Sequence, residues 1–397
     1  MRVLNSLTRS LRRVRGADEE DGRSYFPHPG ALKDGHRLEL LRGGEEAFAA
    51  MLAAIRGARR RVLLGTYILR ADAVGERFSE ALRDRCRAGV RCLLLYDSLG
   101  SLGLSVRFLQ RLREGGVEVV EFSPIAPWRH RWGLGRRNHQ KLLIVDDEAA
   151  FVGGLNIGAE HMAPPAGAGW FDLHTRIEGP VVGDLARLFR RTWTGAGGRP
   201  FRAPVHEPEP GPDSGSALVQ SIDNRALGKR GRMPASYRHA IHRARRSVNL
   251  MNAYFIPIRS LRRALRQACE RGVEVRVVVP GASDVAVVQF ASRYLYGRLL
   301  RDGVRIFEYP DRMMHAKVAV IDGVWSTIGS YNLDVRSLFH NLEAGLLVLD
   351  EDFAGALMRE FESTVAASEE VRLEDWRSRP WWNHLLEWVS YRFRYWL

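Results

Sequence analysis

The chain has 397 residues, with 60 Lys+Arg against 46 Asp+Glu, a formal net charge of +14, 45% hydrophobic residues and three Cys. Such a chain can bury one large core or two ordinary ones, which excludes a disordered tail protein and a disulfide-stapled miniprotein. Only Lys33, Lys141, Lys229 and Lys317 are lysine, so 56 of the 60 cations are arginine; the excess fits a solvated surface, or attraction to nucleic acid or an anionic lipid surface.

The first residues read as a short basic amphipathic helix. Leu4, Leu7, Leu11 and Val14 fall at helical spacing beside Arg9, Arg12, Arg13 and Arg15, a pattern suited to a membrane surface or to a frayed terminus. They lack the apolar core and small-residue cleavage site of a signal peptide, and no window of about 18 apolar residues predicts a transmembrane helix. Cys86, Cys92 and Cys269 have no metal-ligand spacing and are expected to be reduced, mostly buried thiols in the cytoplasm.

From there the chain repeats itself. A first copy runs from the strand-like VLLGTYI (62–68) through AGVRCLLLYD (88–97) and FLQRLREGGVEVVEF (108–122) to KLLIVDD; a second runs from VNLMNAYFI (248–256) through SLRRALRQACERGVEVRVVVPG (260–281) and YLYGRLLRDGVRIFEY (294–309) to KVAVIDG. Tyr67 matches Tyr254 and Gly116 matches Gly303 at an offset of 187, and Gly89 matches Gly272 at 183. Short β-branched runs alternate with Arg-rich helical patterns, which predicts two homologous α/β lobes with mixed central sheets. The expected organisation is a basic segment over 1–30, lobes over 31–194 and 218–370, a Pro/Gly-rich linker over 195–217 and a tail over 371–397.

Each copy carries H-x-K-x4-D, as His139, Lys141 and Asp146 in the first and His315, Lys317 and Asp322 in the second. Gly153-Gly154-Leu-Asn156 follows the first motif, and Gly329-Ser330-Tyr-Asn332 the second. Two of only four lysines sit in these motifs, so the positions call for a compact ammonium rather than a planar guanidinium. On a strand, residues i and i+2 share a face, so His and Lys project together, and a twofold axis would gather both pairs around one cavity.

That constellation suits a phosphodiester. One neutral imidazole attacks phosphorus to give a phosphohistidine and the other donates a proton to the leaving oxygen. Lys141, Lys317, Asn156 and Asn332 would stabilise the transition-state oxygens, with no metal or cofactor required. A carboxylate should fix each tautomer: Glu343, 28 residues past His315, is the candidate in the second copy, and Asp172 its counterpart in the first. At His+7, Asp146 and Asp322 fall on the opposite strand face and receive no chemical role from geometry, although they belong to the motif and stand with its catalytic candidates.

The paired motifs resemble the phospholipase D superfamily from about residue 36 to 370. GSYNLDVRSLFHNLE (329–343), FVGGLNIGAEHM (151–162), NAYFIP (252–257) and RPWWN (379–383) resemble bacterial cardiolipin synthases that lack N-terminal transmembrane helices. The resemblance implies two α/β lobes about a pseudo-twofold axis, with ping-pong transfer of a phosphatidyl group between two phosphatidylglycerol molecules and release of glycerol. It places the catalytic set on His139, Lys141, Asn156, His315, Lys317, Ser330 and Asn332, favouring His139 as nucleophile without deciding the matter. Gly154 departs from the pattern, since the second copy has a hydroxyl at Ser330. A hydrolase with the same residues, or a nuclease, are the alternatives; peripheral attachment to the cytoplasmic face of the cell membrane, with no nucleic-acid partner, is the expectation.

Two segments bear on the substrate. The first copy has 11 additional residues before His139, in SPIAPWRHRWGLGRRN, where Trp128 and Trp132 mix with Arg129, Arg131, Arg136 and Arg137, as suits a lipid headgroup region or a nucleic-acid groove. Five of the ten Trp lie in the last 22 residues, among them Trp381, Trp382, Trp388 and Trp396. There Trp382, Leu386, Val389, Phe393 and Leu397 form an apolar helical stripe fit for a membrane interface, a docked helix or a dimer.

Overall fold

In a computed structural model, residues 22–126, 128, 133, 135–162, 169–201, 205–206, 208, 215–224, 232–310 and 312–395 are described. The expected N-terminal helix, Trp132, Trp396, Leu397 and linker residues 202–204, 207 and 209–214 therefore lie outside the described residues.

The repeat builds two matching runs of strands. In the first half Arg61–Thr66, Arg91–Asp97 and Glu118–Phe122 pair in parallel through crossover helices Ala73–Arg87 and Val106–Glu114. Ser247–Asn252, Glu274–Pro280 and Arg305–Tyr309 do the same in the second, with Arg259–Glu270 as the first crossover. Each run continues antiparallel through a hairpin, Leu142–Val145 with Ala149–Gly153 and Lys317–Ile321 with Trp325–Gly329, then a return strand, Leu173–Glu178 or Ala344–Leu349. The return strands pair with Lys33–Arg42 and Ala217–Asp223, and those two strands pair antiparallel with each other. Seven strands from each half thus join across a pseudo-twofold axis, and Glu369–Glu370 adds one edge, giving a 15-stranded sheet among the described residues.

Local chemistry explains the repeated punctuation. The glycines that match between copies, Gly89 with Gly272 and Gly116 with Gly303, have φ between +84° and +90° just past helix ends, where a Cβ would be strained. Asp72, Ser105 and Asp350 accept backbone N–H bonds at three helix starts.

Alternating strand residues feed different cores. Leu63, Leu142, Val318 and Leu346 face one core shared by both halves, with helices Val181–Gly195 and Glu351–Ala366 packed into it. Val62 and Leu64 turn to the opposite face, beneath helices Gly43–Gly57 and Ala73–Arg87, and Val248 and Leu347 to an equivalent core under Arg232–Arg243 and Arg259–Glu270. The shared core is what holds the histidine-bearing strands of both halves together.

Candidate active site

Both H-x-K motifs arrive where the two halves meet, with all four side chains buried. The strands begin at Leu142 and Lys317, so each histidine sits on the lead-in rather than within the strand. There its backbone pairs with the other half. His139 N donates to Leu342 O at 2.9 Å, and His315 N donates to Phe171 O at 2.6 Å. Arg137–Asn138 runs parallel to Asn341–Leu342, and Phe171 bridges in parallel to Met314.

The consequence is a crossed pairing of side chains. His139 Nδ1 lies 2.9 and 3.1 Å from the Glu343 carboxylate oxygens, and His315 Nδ1 lies 2.7 Å from Asp172 Oδ2. The sequence reading put Glu343 with His315 and Asp172 with His139. The exchange follows because each carboxylate sits just before its return strand, on the segment that pairs with the opposite histidine's lead-in. Both carboxylates are fully buried, and each fixes an imidazole with its Nδ1 toward the carboxylate, which turns Nε2 away from it.

Each motif lysine is tied back to its own histidine. Lys141 Nζ donates to His139 O at 2.9 Å and Lys317 Nζ donates to His315 O, using one of three protons and leaving two for a ligand. Burial is the main cause that pushes Lys141 down to about 7 and Lys317 to about 8, with the two carboxylates opposing it. Burial also lowers His139 to about 4 and His315 well below its usual value, and the neighbouring ammonium groups push both the same way. In the free protein both imidazoles are therefore neutral at neutral pH.

The Gly154/Ser330 difference has a steric cause. Ser330 Oγ donates to Glu343, and Asn341 Nδ2 donates to the same carboxylate at 3.3 Å. At Gly154 a Cβ would stand 2.1 Å from Asp172 Oδ1. The shorter aspartate draws its carboxylate against the backbone where the other half has a hydroxyl, so Gly and Asp go together, as do Ser and Glu. Asn156 is buried and its Oδ1 accepts from Ile68 N at 3.2 Å, which leaves the NH2 as its donor. Asn332 is equally buried, two residues past Ser330, and its Oδ1 has no partner among the described residues.

Asp146 and Asp322, counted with the catalytic candidates, are corrected to supports of the turns. Both have φ of 55° at the far end of the strand from histidine. Asp146 accepts from the backbone N–H groups of Arg59, Arg60 and Arg61 at 2.7–2.8 Å; Asp322 accepts from those of Arg245, Arg246 and Ser247 at 2.7–2.8 Å and from Tyr25 Oη at 2.6 Å. A seven-residue offset along a strand carries them away from the chamber. Arg137, read with the arginines suited to a lipid headgroup region or a nucleic-acid groove, is fully buried instead, donating to Ser123 O at 2.8 Å with Asp97 Oδ1 3.6 Å away.

Several residues of the site went unread in the sequence. Tyr67 packs edge-on to His139 with centroids 5.0 Å apart, its repeat partner Tyr254 flanks His315 at 6.4 Å, and the Tyr254 hydroxyl donates to Asp284 at 2.6 Å. Their matched offset was the available signal. His161 and Trp170 add an asymmetric wall, with ring centroids 5.8 and 5.2 Å from His315. His161 Nε2 accepts from Asn156 N at 3.2 Å, so its Nδ1 carries the proton and faces Asp172 Oδ2 at 3.9 Å. Position 337, five past Asn332 as His161 is five past Asn156, is Ser, so the repeat hid it. His161, Asp172 and His315 have ligand atoms within 4.8 Å of one another, close enough to share a cation, but the Asp172–His315 hydrogen bond already uses two of them.

The substrate-facing candidates divide. Trp128 is 86% exposed. Helix Trp381–Arg392 turns its polar edge inward, with Glu387 2% exposed and bound to Arg379 Nη1 at 2.6 Å, and Tyr391 stacked on Tyr294 at 4.5 Å. Trp381, Trp382, Leu385, Leu386, Trp388, Val389 and Phe393 are left 40–71% exposed. The helix packs on Ala286–Arg293, whose preceding residues are exposed Val285 and the Asp284 that binds Tyr254, so the apolar surface runs toward the His315 side of the chamber.

Two neutral imidazoles, each held by a buried carboxylate, with two ammonium groups beside them, define a site for transferring a phosphodiester group. The fold is that of the phosphatidylserine synthase of Haemophilus influenzae Rd KW20 (TM-score 0.70, 12% identity, 96% of this chain and 99% of that chain). The cardiolipin synthase, PLD-like domain family matches residues 51–193 and 237–365, and the chain belongs to that family, within the phospholipase D superfamily. It is 36% identical over 345 residues to cardiolipin synthase A of Pseudomonas aeruginosa, covering 86% of this chain and 70% of the relative. With cardiolipin synthase B of Escherichia coli K12 it shares 33% identity over 364 residues, 91% of this chain and 88% of the relative. The protein is thus a cardiolipin synthase-like phosphatidyltransferase of this superfamily.

Proposed function

We propose that the chain makes cardiolipin from two molecules of phosphatidylglycerol through a phosphohistidine. The observation that carries this is the pair of carboxylate-held imidazoles, 2.9 and 2.7 Å from their partners, buried together with Lys141 and Lys317 so closely that both ammonium groups act on each histidine. In the first half-reaction Nε2 of one histidine attacks phosphorus while the P–O bond to glycerol breaks. The second histidine, charged once the phosphate anion has raised its proton affinity, gives its proton to the departing glycerol oxygen. It then takes a proton from a hydroxyl of the second phosphatidylglycerol, whose oxygen displaces histidine from phosphorus. The two ammonium groups and the Asn156 and Asn332 carboxamides serve the non-bridging oxygens. By resemblance His139 is the nucleophile and His315 the acid and base.

Burial of both histidines, at 7% and 3% exposure, favours transfer over hydrolysis, because the phosphohistidine is shielded from bulk water. The exposed apolar helix supports peripheral attachment to a membrane, since no helix among the described residues is long and apolar enough to cross one. The three free thiols accord with the cytoplasmic face.

The test presents pure phosphatidylglycerol in mixed micelles and resolves the products. Cardiolipin with equimolar glycerol is expected; phosphatidic acid alone would mean hydrolysis, and nicking of a plasmid without lipid turnover would sink the lipid reading.

A further inference from the structure

Away from the histidines, a cavity of about 440 Å³ opens between helices Arg259–Glu270 and Tyr296–Arg301 and the C-terminal segment. Arg262, Arg298, Arg301 and Arg377 line it, with His384. Among the described residues none of these four guanidinium groups has a carboxylate partner, and Arg262 Nε is buried without any acceptor. The carboxylate in the lining, Glu387, is already held by Arg379 at 2.6 and 3.3 Å. Arg262 and Arg298 also border an adjoining hollow of about 110 Å³ with Arg259, Arg263, Arg266 and one carboxylate, Asp302; Arg266 is paired there with Glu270 at 3.3 Å, so cations still outnumber acids. Four unneutralised cations in one hollow repel one another, and an anion relieves that repulsion.

The other side of the same helix identifies the anion. His384 and Glu387 face the cavity, while Trp381, Leu385 and Trp388 are 49–71% exposed beside it. A free phosphate has no use for that apolar rim, but a phospholipid does, since its phosphate can enter the arginine hollow while its acyl chains lie along the tryptophans. Guanidinium forks match phosphate oxygens in pairs.

We propose that this cavity binds the phosphate headgroup of an anionic phospholipid that is not being turned over, seating the enzyme on negatively charged bilayer. This rests on the peripheral-membrane reading above. The site is separate from the histidine chamber and shares no residue with it.

The test is flotation of the full chain with vesicles of phosphatidylcholine alone or phosphatidylcholine mixed with phosphatidylserine. Arg262→Gln/Arg298→Gln and Arg298→Gln/Arg377→Gln are each expected to weaken binding to the anionic vesicles about 25-fold, roughly fivefold per arginine. Binding to phosphatidylcholine alone and turnover of soluble short-chain phosphatidylglycerol should be unchanged. Arg83→Gln/Arg87→Gln, in a basic cavity of the first half that the aromatic helix does not border, is the control for net charge. Equal loss in the control, unchanged anionic binding in both variants, or displacement of the wild type by inorganic phosphate at the same phosphate concentration would each overturn the proposal. Failure of the wild type to bind any vesicle would overturn the membrane reading as well, whereas the short-chain assay reports the chemistry independently.

Discussion

His139 Nδ1 lies 2.9 Å from Oε2 of Glu343, a carboxylate carried by the other half of the chain. His315 and Asp172 repeat the relationship in the opposite direction at 2.7 Å. Glu343→Gln should therefore cost about 10²–10⁴ in kcat by releasing the tautomer of His139, and Asp172→Asn the same through His315. Proton NMR separates the crossed arrangement from pairing within a half: the Nδ1–H signal of His139 should disappear in Glu343→Gln and persist in Asp172→Asn. The reverse result refutes the exchange.

Gly154 and Ser330 should not be interchangeable. Gly154→Ser places a Cβ 2.1 Å from the Asp172 carboxylate as it now sits, so that carboxylate must move and His315 loses its support. A loss of at least about 10²-fold in kcat is expected, against about tenfold for Ser330→Ala, which leaves Glu343 with Asn341 and His139. Comparable losses in steady-state assays would show that the carboxylates have more room than the geometry allows.

Protonation of the lysines sets the alkaline limb. Lys141 is held down at about 7 and Lys317 at about 8, so the free enzyme loses both charges as pH rises through those values. A bound phosphodiester favours the charged forms, so binding takes up protons. Consequently kcat/KM should fall as pH climbs from about 7 to 9, with kcat flatter because it reports the complex. A pH indicator should register proton uptake when a phosphonate analogue binds at about pH 8, and proton release would contradict the assignment.

The motif aspartates should behave as structural groups. Asp146→Asn weakens three backbone hydrogen bonds to a buried carboxylate and is expected to cost about 1–3 kcal/mol of stability, with kcat of the folded protein within a few-fold of wild type. Asp322→Asn should act alike and also loosen Tyr25. Thermal melts beside single-turnover rates decide it; a large loss of rate without loss of stability would return these residues to the chemistry.

Trp382→Ser/Leu386→Ser should weaken vesicle binding by about tenfold while leaving the melting temperature within a degree or two, because both side chains are about half exposed and support no core. A large fall in melting temperature would mean that the apolar face is covered by protein in solution.

The motifs, the repeat and the α/β class could be read from sequence because period and spacing are local properties. His139 with Lys141 and His315 with Lys317 stand in two short matching strings, and matching glycines mark matching helix ends. The carboxylates were legible as residues but not as partners, since the choice of histidine depends on Leu342 pairing with Asn138 and Phe171 with Met314 across hundreds of positions. His161 was hidden because the second copy has no histidine there. Helical spacing displayed the apolar stripe of 381–393, yet which side faces the protein follows from long-range packing on Ala286–Arg293, with Tyr391 stacked on Tyr294, beside the Arg379–Glu387 ion pair.

The antiparallel junction of Lys33–Arg42 with Ala217–Asp223 carries the twofold relation through the middle of one sheet. With the carboxylates exchanged across it, neither half owns a finished histidine. An ancestral gene encoding one half would have needed two copies of its product, each completing the other, to make even a single active centre. Within one chain the two halves need not be identical, and they differ where Gly154 stands beside Asp172 and Ser330 beside Glu343.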